Sequence, residues 1–155
     1  MLTIRLALAA CVFLAPLPSM AQTSEPATTI TALIKLDSKG DWTPIFANEP
    51  TATMQRFFTP GFNAAWRAAM QHNKDYPVFD SDPLTGAQGS GGPILKSTAA
   101  DPHGVVTAIV ASRDIPAVQV MIRYVMVRAG ERWQIDDIVY PNSRPSLRAV
   151  LGNER

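Results

Sequence analysis

Three segments rich in β-branched and aromatic residues follow one another in the second half of the chain, and they restrict the fold more than any other feature. They span Val105–Ala111, Val118–Arg128 and Arg132–Tyr140. Only Ala129-Gly130-Glu131 separates the last two, and a turn this short joins strands that pair antiparallel. The sequence therefore predicts an antiparallel meander.

The middle segment carries apolar residues on both faces of the predicted strand. Ile122 and Tyr124 alternate with Met121 and Val125, so neither face is purely polar. This pattern predicts a strongly curved sheet whose concave face packs on helices and whose convex face is partly covered. A second copy of the chain is one candidate for that cover, so a homodimer through the sheet stays open.

The clearest helix is predicted at Pro60–Gln71, since Thr59 is a favoured N-cap residue and proline is favoured at the first helical position. Apolar residues recur there at helical spacing, and Asn63 is expected to face away from them. The apolar stripe comprises Phe62, Ala65, Trp66, Ala69 and Met70. We expect this stripe to pack in the core.

Shorter helices complete the pattern of an α+β fold. They are expected from near Thr29 to Lys39, after Thr51, and at Ser143–Leu151. Gly40 and Gly152 follow two of them as stop signals. Residues 73–104 are expected to be mostly irregular, with a short strand near Ile94-Leu95. The predicted architecture is thus N-terminal helices packed in a strongly curved antiparallel sheet, with a short C-terminal helix.

Residues 1–21 have the features of an export signal. Arg5 gives a positive start, residues 6–15 are apolar, and small residues flank Met20 before a cleavage site at Ala21. The apolar run is shorter than the roughly 20 residues that span a bilayer, so no transmembrane segment is predicted. The resulting divisions are a signal over 1–21, a flexible lead-in over 22–28 and a single domain over 29–152.

Cys11 supports a second interpretation of the N-terminus. Leu8-Ala9-Ala10-Cys11 resembles a bacterial lipoprotein signal, which would anchor the chain to a membrane at Cys11. The apolar run between Arg5 and Cys11 is short for such a signal, so a periplasmic or secreted chain is favoured. Both interpretations place the domain in the cell envelope.

Composition excludes several classes of function. Cys11 is the single cysteine, and with only His72 and His103 beside it a His/Cys zinc cage is excluded. The formal charge is +1, without a basic face or an acidic tail, which argues against a nucleic-acid partner. Phosphate-binding and dinucleotide fingerprints are missing as well. We therefore predict no bound metal and no cofactor.

Two carboxylates beside Pro83 form the first candidate site. Asp80 and Asp82 are two positions apart in an extended segment, so their side chains project to one side and could share a proton or a hard cation. Gln88 follows as a further polar candidate. The competing interpretation is that both acids cap turns by accepting backbone N–H bonds.

The second candidate site lies on the last predicted strand. Strict alternation would place Trp133, Ile135 and Asp137 on one face. A carboxylate facing an apolar cavity beside tryptophan would have a raised pKa and could act as a general base. The competing interpretation pairs Asp137 with Arg123 or Arg128 on the neighbouring strand.

Several short motifs, in this order, resemble a bacterial envelope family known as domain of unknown function 3828. They are Phe58-Thr59-Pro60, Phe79-Asp80-Ser81-Asp82-Pro83-Leu84 with Gln88, Trp133-Gln134-Ile135-Asp136-Asp137-Ile138-Val139-Tyr140, and Ser146-Leu147-Arg148. One departure is Gly89, where the family commonly has an acid after the glutamine. The resemblance implies a cone-shaped α+β fold similar to the nuclear transport factor 2-like superfamily, and it implies no activity.

These observations favour a non-enzymatic envelope domain that binds a small ligand or a protein partner, because the sequence holds no complete set of catalytic residues. A proton-transfer or hydrolytic enzyme with a carboxylate base in the cone stays an alternative. A periplasmic inhibitor or immunity protein is another. The candidate pocket residues are Asp80, Asp82, Gln88, Trp133 and Asp137.

Overall fold

The computed structural model describes residues 25–37, 45–72, 81–86, 91–142 and 144–153. These residues form an α+β fold with one four-stranded antiparallel sheet in the order β1-β2-β3-β4. The helices are α1 (Pro26–Leu36), α2 (Ala52–Phe57), α3 (Pro60–His72) and α4 (Leu147–Asn153). The strands are β1 (Pro93–Ala100), β2 (Val105–Ser112), β3 (Gln119–Ala129) and β4 (Arg132–Val139). The predicted meander and the short C-terminal helix are confirmed.

A β-bulge in β4 breaks the alternation that the sequence predicts. Val125 of β3 pairs with Asp137 and Met126 pairs with Ile135, so Asp136 has no partner across the ladder. The extra residue shifts the strand by one position, and Ile135 and Ile138 are both fully buried. The prediction that Ile135 and Asp137 share a face is therefore wrong, since the bulge lies between them.

Local capping signals locate α2 and α3 correctly. Thr51 caps α2, where its Oγ1 accepts from the Met54 N–H at 3.1 Å. Thr59 does the same for α3, accepting from the Phe62 N–H at 3.1 Å. Asn63 was expected to face away, but it is buried and its Nδ2 donates to the Phe58 carbonyl oxygen at 3.3 Å. This bond gives a donor to the Phe58 carbonyl oxygen, which lies at the break between the two helices and lacks a helical N–H partner.

Element boundaries elsewhere differ from the predicted ones. α1 begins at Pro26, so part of the lead-in expected to be flexible is helical, with proline in the first helical turn. β1 extends to Ala100, because pairing with β2 gives backbone partners to a segment of small residues with low strand propensity. Gly152 lies inside α4 and does not stop it. Gly40 lies outside the described residues.

One hydrophobic cluster unites buried side chains from all four helices with those of β2, β3 and β4. Its largest fully buried members are Trp66, Tyr124, Phe46, Phe58 and Phe62. On the opposite side of β3, the apolar side chains of Met121 and Val127 are exposed. Among the described residues, no helix has both the length and the apolar character needed to span a bilayer.

Candidate functional site

A pocket of about 160 Å³ lies where α1, α2 and β4 meet, and we name it the α1–β4 pocket. Thr28, Thr29 and Ala32 of α1, Arg56 and Phe57 of α2, and Arg132 and Trp133 of β4 line it. These three elements are far apart in sequence, so only the tertiary fold creates the pocket. Of the candidates that lie within the described residues, Asp82, Trp133 and Asp137, only Trp133 lines it.

The pocket combines apolar ring surfaces with two positive charges. Phe57 is buried and Trp133 is half-buried, whereas Arg56 and Arg132 are exposed. The Arg56 guanidinium carbon lies 5.2 Å from the centroid of the Phe57 ring, a cation–π distance that restricts where this charge sits. Within the described residues, neither arginine forms an ion pair. The guanidinium donors thus stay accessible to a ligand.

Hydrogen bonds between α2 and β4 hold two walls of the pocket together. The Gln134 Nε2 donates to the carbonyl oxygens of Gln55 at 3.2 Å and Arg56 at 3.4 Å. The Thr59 N–H donates to the Ile135 carbonyl oxygen at 2.9 Å. Gln134 is buried, so these bonds satisfy polar groups that would otherwise be costly in the interior. Arg56 is fixed to β4 through its own backbone.

Gly104 positions the Trp133 ring, and its replacement gives a test. Its φ is +82°, and a Cβ there would lie 3.0 Å from the Met126 carbonyl oxygen and 3.2 Å from Trp133 Cζ3. Gly104→Ala is expected to cost more than the roughly 1–2 kcal/mol of a left-handed non-glycine residue, because the ring must also move. We expect lower stability in urea unfolding and a shifted NMR resonance of the Trp133 indole N–H.

Gly130→Ala is the matched control for this variant. Gly130 also has a positive φ, +65°, but a Cβ there meets nothing within 4 Å. The Gly130→Ala variant should lose only the stability that the left-handed backbone costs a non-glycine residue. Its Trp133 indole resonance should not shift. Equal losses of stability with no indole shift in either variant would contradict a positioning role for Gly104.

Asp137 belongs to β4, and its side chain contacts the start of α4 and does not line the α1–β4 pocket. Its Oδ1 accepts the N–H of Ile138 at 2.8 Å and of Arg148 at 2.9 Å. Because the Arg148 N–H belongs to the first turn of α4, the carboxylate acts as a cap for that helix. The expectation that it faces an apolar cavity with Trp133 is wrong, and the bulge at Asp136 is the reason.

Asp136, which the sequence did not single out, forms the ion pair on this strand. Arg148 Nη1 donates to Asp136 Oδ1 at 2.5 Å, and the Thr59 hydroxyl donates to the same oxygen at 2.7 Å. The pairing expected between Asp137 and Arg123 or Arg128 is thus replaced by a link between β4, α3 and α4. Its role is to join elements, since it lies outside the pocket lining.

Asp82 caps a turn, as one of the two sequence interpretations predicts. Its Oδ1 accepts the Leu84 N–H at 2.8 Å, and its Oδ2 accepts the Thr85 hydroxyl. It also interacts with the carboxyl group of Asp37, which is 1% exposed at the end of α1. Burial raises the pKa of Asp82 above its ordinary value of 3.8, and the hydrogen bonds only partly oppose this. Two carboxyl groups in contact favour sharing one proton.

Two tyrosines on the sheet side form hydrogen bonds to the 81–86 turn, which contains Asp82. The Tyr124 hydroxyl donates to the Leu84 carbonyl oxygen at 3.0 Å, and the Tyr140 hydroxyl donates to the Pro83 carbonyl oxygen at 2.6 Å. Burial, together with the nearby Asp82 charge, raises the pKa of both phenols. Both therefore stay neutral hydrogen-bond donors over the physiological pH range, and they hold the 81–86 turn against β3 and β4.

Asp80 and Gln88 lie outside the described residues, so their predicted roles stay predictions. Within the described ranges, no three His, Cys, Asp or Glu side chains come together in a way that could hold a metal ion. His72 ends α3 and His103 lies in the β1–β2 turn, both exposed. Both are thus solvent-exposed side chains at a helix end and in a turn.

Sequence reasoning missed most of the residues of the α1–β4 pocket. Arg56 and Arg132 looked like ordinary surface charges, and Thr28 fell in the expected lead-in. One usable signal was the run Arg56-Phe57, a charge beside an aromatic on a short amphipathic helix. A second was Arg132-Trp133 at the start of a strand.

No protein family profile, curated protein or solved structure matches this chain. The resemblance to the envelope family accordingly stays a prediction. A proposal about function must start from the geometry of the α1–β4 pocket.

Proposed function

We propose that this chain is an exported, non-enzymatic binding domain that holds a small ligand in the α1–β4 pocket. The observation that carries the proposal is the half-buried Trp133 beside Arg56 and Arg132, neither of which pairs with an acid among the described residues. Ligand sites characteristically combine apolar ring surfaces with a few polar groups that fix orientation. The pocket has both parts.

The positions of the acids support binding over catalysis. Asp137 accepts two backbone N–H groups, and Asp82 accepts one backbone N–H and the Thr85 hydroxyl. A general base needs a lone pair that can reach a bound substrate, and neither residue lines the pocket. Both carboxylates are better explained by the turn and the helix that they cap.

Export of the chain rests on the N-terminal sequence. We propose cleavage near Ala21 and release into the periplasm or the medium, with a lipid anchor at Cys11 as the alternative. The mass of the mature protein distinguishes a chain beginning at Gln22 from a lipidated one. A cone-like curvature of the sheet, which the family resemblance implies, would enclose the pocket between α1 and the edge strand β4.

Filling the pocket is expected to weaken ligand binding. Ala32 lines it and is exposed on α1, so Ala32→Leu places three extra carbons in the ligand space with little cost to helix stability. In an NMR titration with small neutral and charged aromatic compounds, the wild-type Trp133 indole N–H should shift. In Ala32→Leu the apparent affinity should fall by about tenfold or more, the equivalent of roughly 1.4 kcal/mol.

Ala64→Leu provides the same substitution away from the pocket. Ala64 is exposed on α3 and does not line the pocket, so this variant should bind like the wild type. If none of the compounds shifts the indole resonance at millimolar concentration, the proposed function is wrong. Equal weakening in both variants would show that the titration reports a general effect of surface leucines.

A further inference from the structure

The charge and lining of the α1–β4 pocket narrow the chemistry of its ligand, provided that the proposed function holds. We propose that the pocket takes a small organic acid. Its carboxylate binds the guanidinium groups of Arg56 and Arg132, and its apolar body packs on Trp133 and Phe57.

The argument for an anion starts from the composition of the lining. Two arginines line the pocket, and among the described residues no aspartate or glutamate does. Guanidinium donors match the geometry of a carboxylate, and a pair of them in one pocket disfavours a cationic ligand by repulsion. Thr28 and Thr29 add hydroxyl donors from the beginning of α1, the helix end that carries partial positive charge.

The argument for an apolar body rests on the other half of the lining. The lining also includes the carbon surface of Ala32, Phe57 and Trp133. A fully hydrated ion such as phosphate has no apolar group to cover that surface. The volume of about 160 Å³ is below the roughly 300–1,000 Å³ of pockets for drug-sized ligands. A single ring or a short chain with one acidic group fits these two conditions together.

Three probes separate charge from shape. Benzoate carries both the carboxylate and the ring, benzamide is its neutral isostere, and inorganic phosphate carries charge without a ring. In titrations followed by the indole N–H of Trp133, we expect benzoate to bind at least tenfold more tightly than benzamide and than phosphate. The affinity for benzoate should also fall as salt concentration rises, because exposed charges are screened.

Arg132→Gln tests the source of the charge preference. It removes one guanidinium from the pocket and should weaken benzoate binding by about tenfold, a larger loss than for benzamide, which lacks the negative charge. Arg123→Gln is the matched control, since Arg123 is exposed on β3, outside the pocket, and its loss changes the net charge equally. The control should keep the affinity of the wild type.

The outcomes distinguish this inference from the proposed function. Equal binding of benzoate and benzamide would overturn the inference and leave a pocket for neutral molecules. Tighter binding of phosphate than of benzoate would also overturn it, in favour of an oxyanion site that does not use the rings. If none of the three probes shifts the Trp133 indole resonance, the proposed function itself is wrong.

Discussion

Replacing Phe58 with alanine is expected to lower the free energy of unfolding by about 3–5 kcal/mol. Phe58 is fully buried, and its ring centroid lies 4.6 Å from that of Phe62 and 5.5 Å from that of Phe46. It also forms an isolated parallel bridge to Ile135, where the break between α2 and α3 meets β4. The alanine would leave a cavity at the junction of three elements.

Urea unfolding measures this loss, and two further variants make the result interpretable. Phe58→Leu keeps most of the apolar volume and should lose less, so the comparison remains possible if the alanine variant does not fold. Val127→Ala truncates an apolar side chain that is 45% exposed, so the free energy of unfolding should fall by no more than about 0.5 kcal/mol. A loss at Phe58 as small as that at Val127 would contradict its central position in the core.

The second large effect is a loss of stability as pH rises, caused by the burial of the Asp82 carboxyl beside Asp37. Burial raises the pKa of Asp82 above 3.8, so in the folded state this carboxyl keeps a proton that the unfolded chain has released. The stabilising contribution is complete below pH 3.8 and is lost as pH rises through the raised pKa. Each unit by which the folded pKa exceeds the unfolded one corresponds to about 1.4 kcal/mol.

The charged and titratable groups around Asp82 define the expected pH profile. Asp37 and the phenols of Tyr124 and Tyr140 interact with it electrostatically, and the phenols stay neutral over the range tested. The exposed acids Glu49 and Asp101 have lowered pKa values, through Arg67 for Glu49 and mainly the Val105 N–H for Asp101, and they act in the opposite direction. These exposed groups are present in every variant, so differences between variants isolate the buried pair.

Asp37→Asn tests how much Asp37 contributes to this loss of stability. Its amide can donate to the Asp82 carboxylate without a shared proton, so unfolding free energies measured from pH 4 to pH 8 should decline less than in the wild type. At pH 8 the variant should be more stable than the wild type by about 1 kcal/mol, since like-charge repulsion disappears. Glu131→Gln, an exposed acid in the β3–β4 turn, should leave the profile unchanged. Parallel profiles for Asp37→Asn and the wild type would refute the coupling.

Signals between residues a few positions apart predicted most of the helices and strands. Thr51 and Thr59 cap α2 and α3 as predicted, and the stripe from Phe62 to Met70 packs in or against the core. Helix caps and hydrophobic periodicity are properties of residues a few positions apart, so they can be recognised without knowing the fold. The strands β2, β3 and β4 were recognisable for the same reason.

The tertiary structure alone decided which residues meet. The bulge at Asp136 depends on the pairing of β4 with β3, and it moves Asp137 from the expected cavity to the start of α4. Asp37 and Asp82 are distant in sequence, and they interact only because the fold brings the end of α1 near the 81–86 turn. The α1–β4 pocket likewise joins three separate segments. Sequence periodicity describes one element at a time, whereas a site of this kind is set by packing between elements.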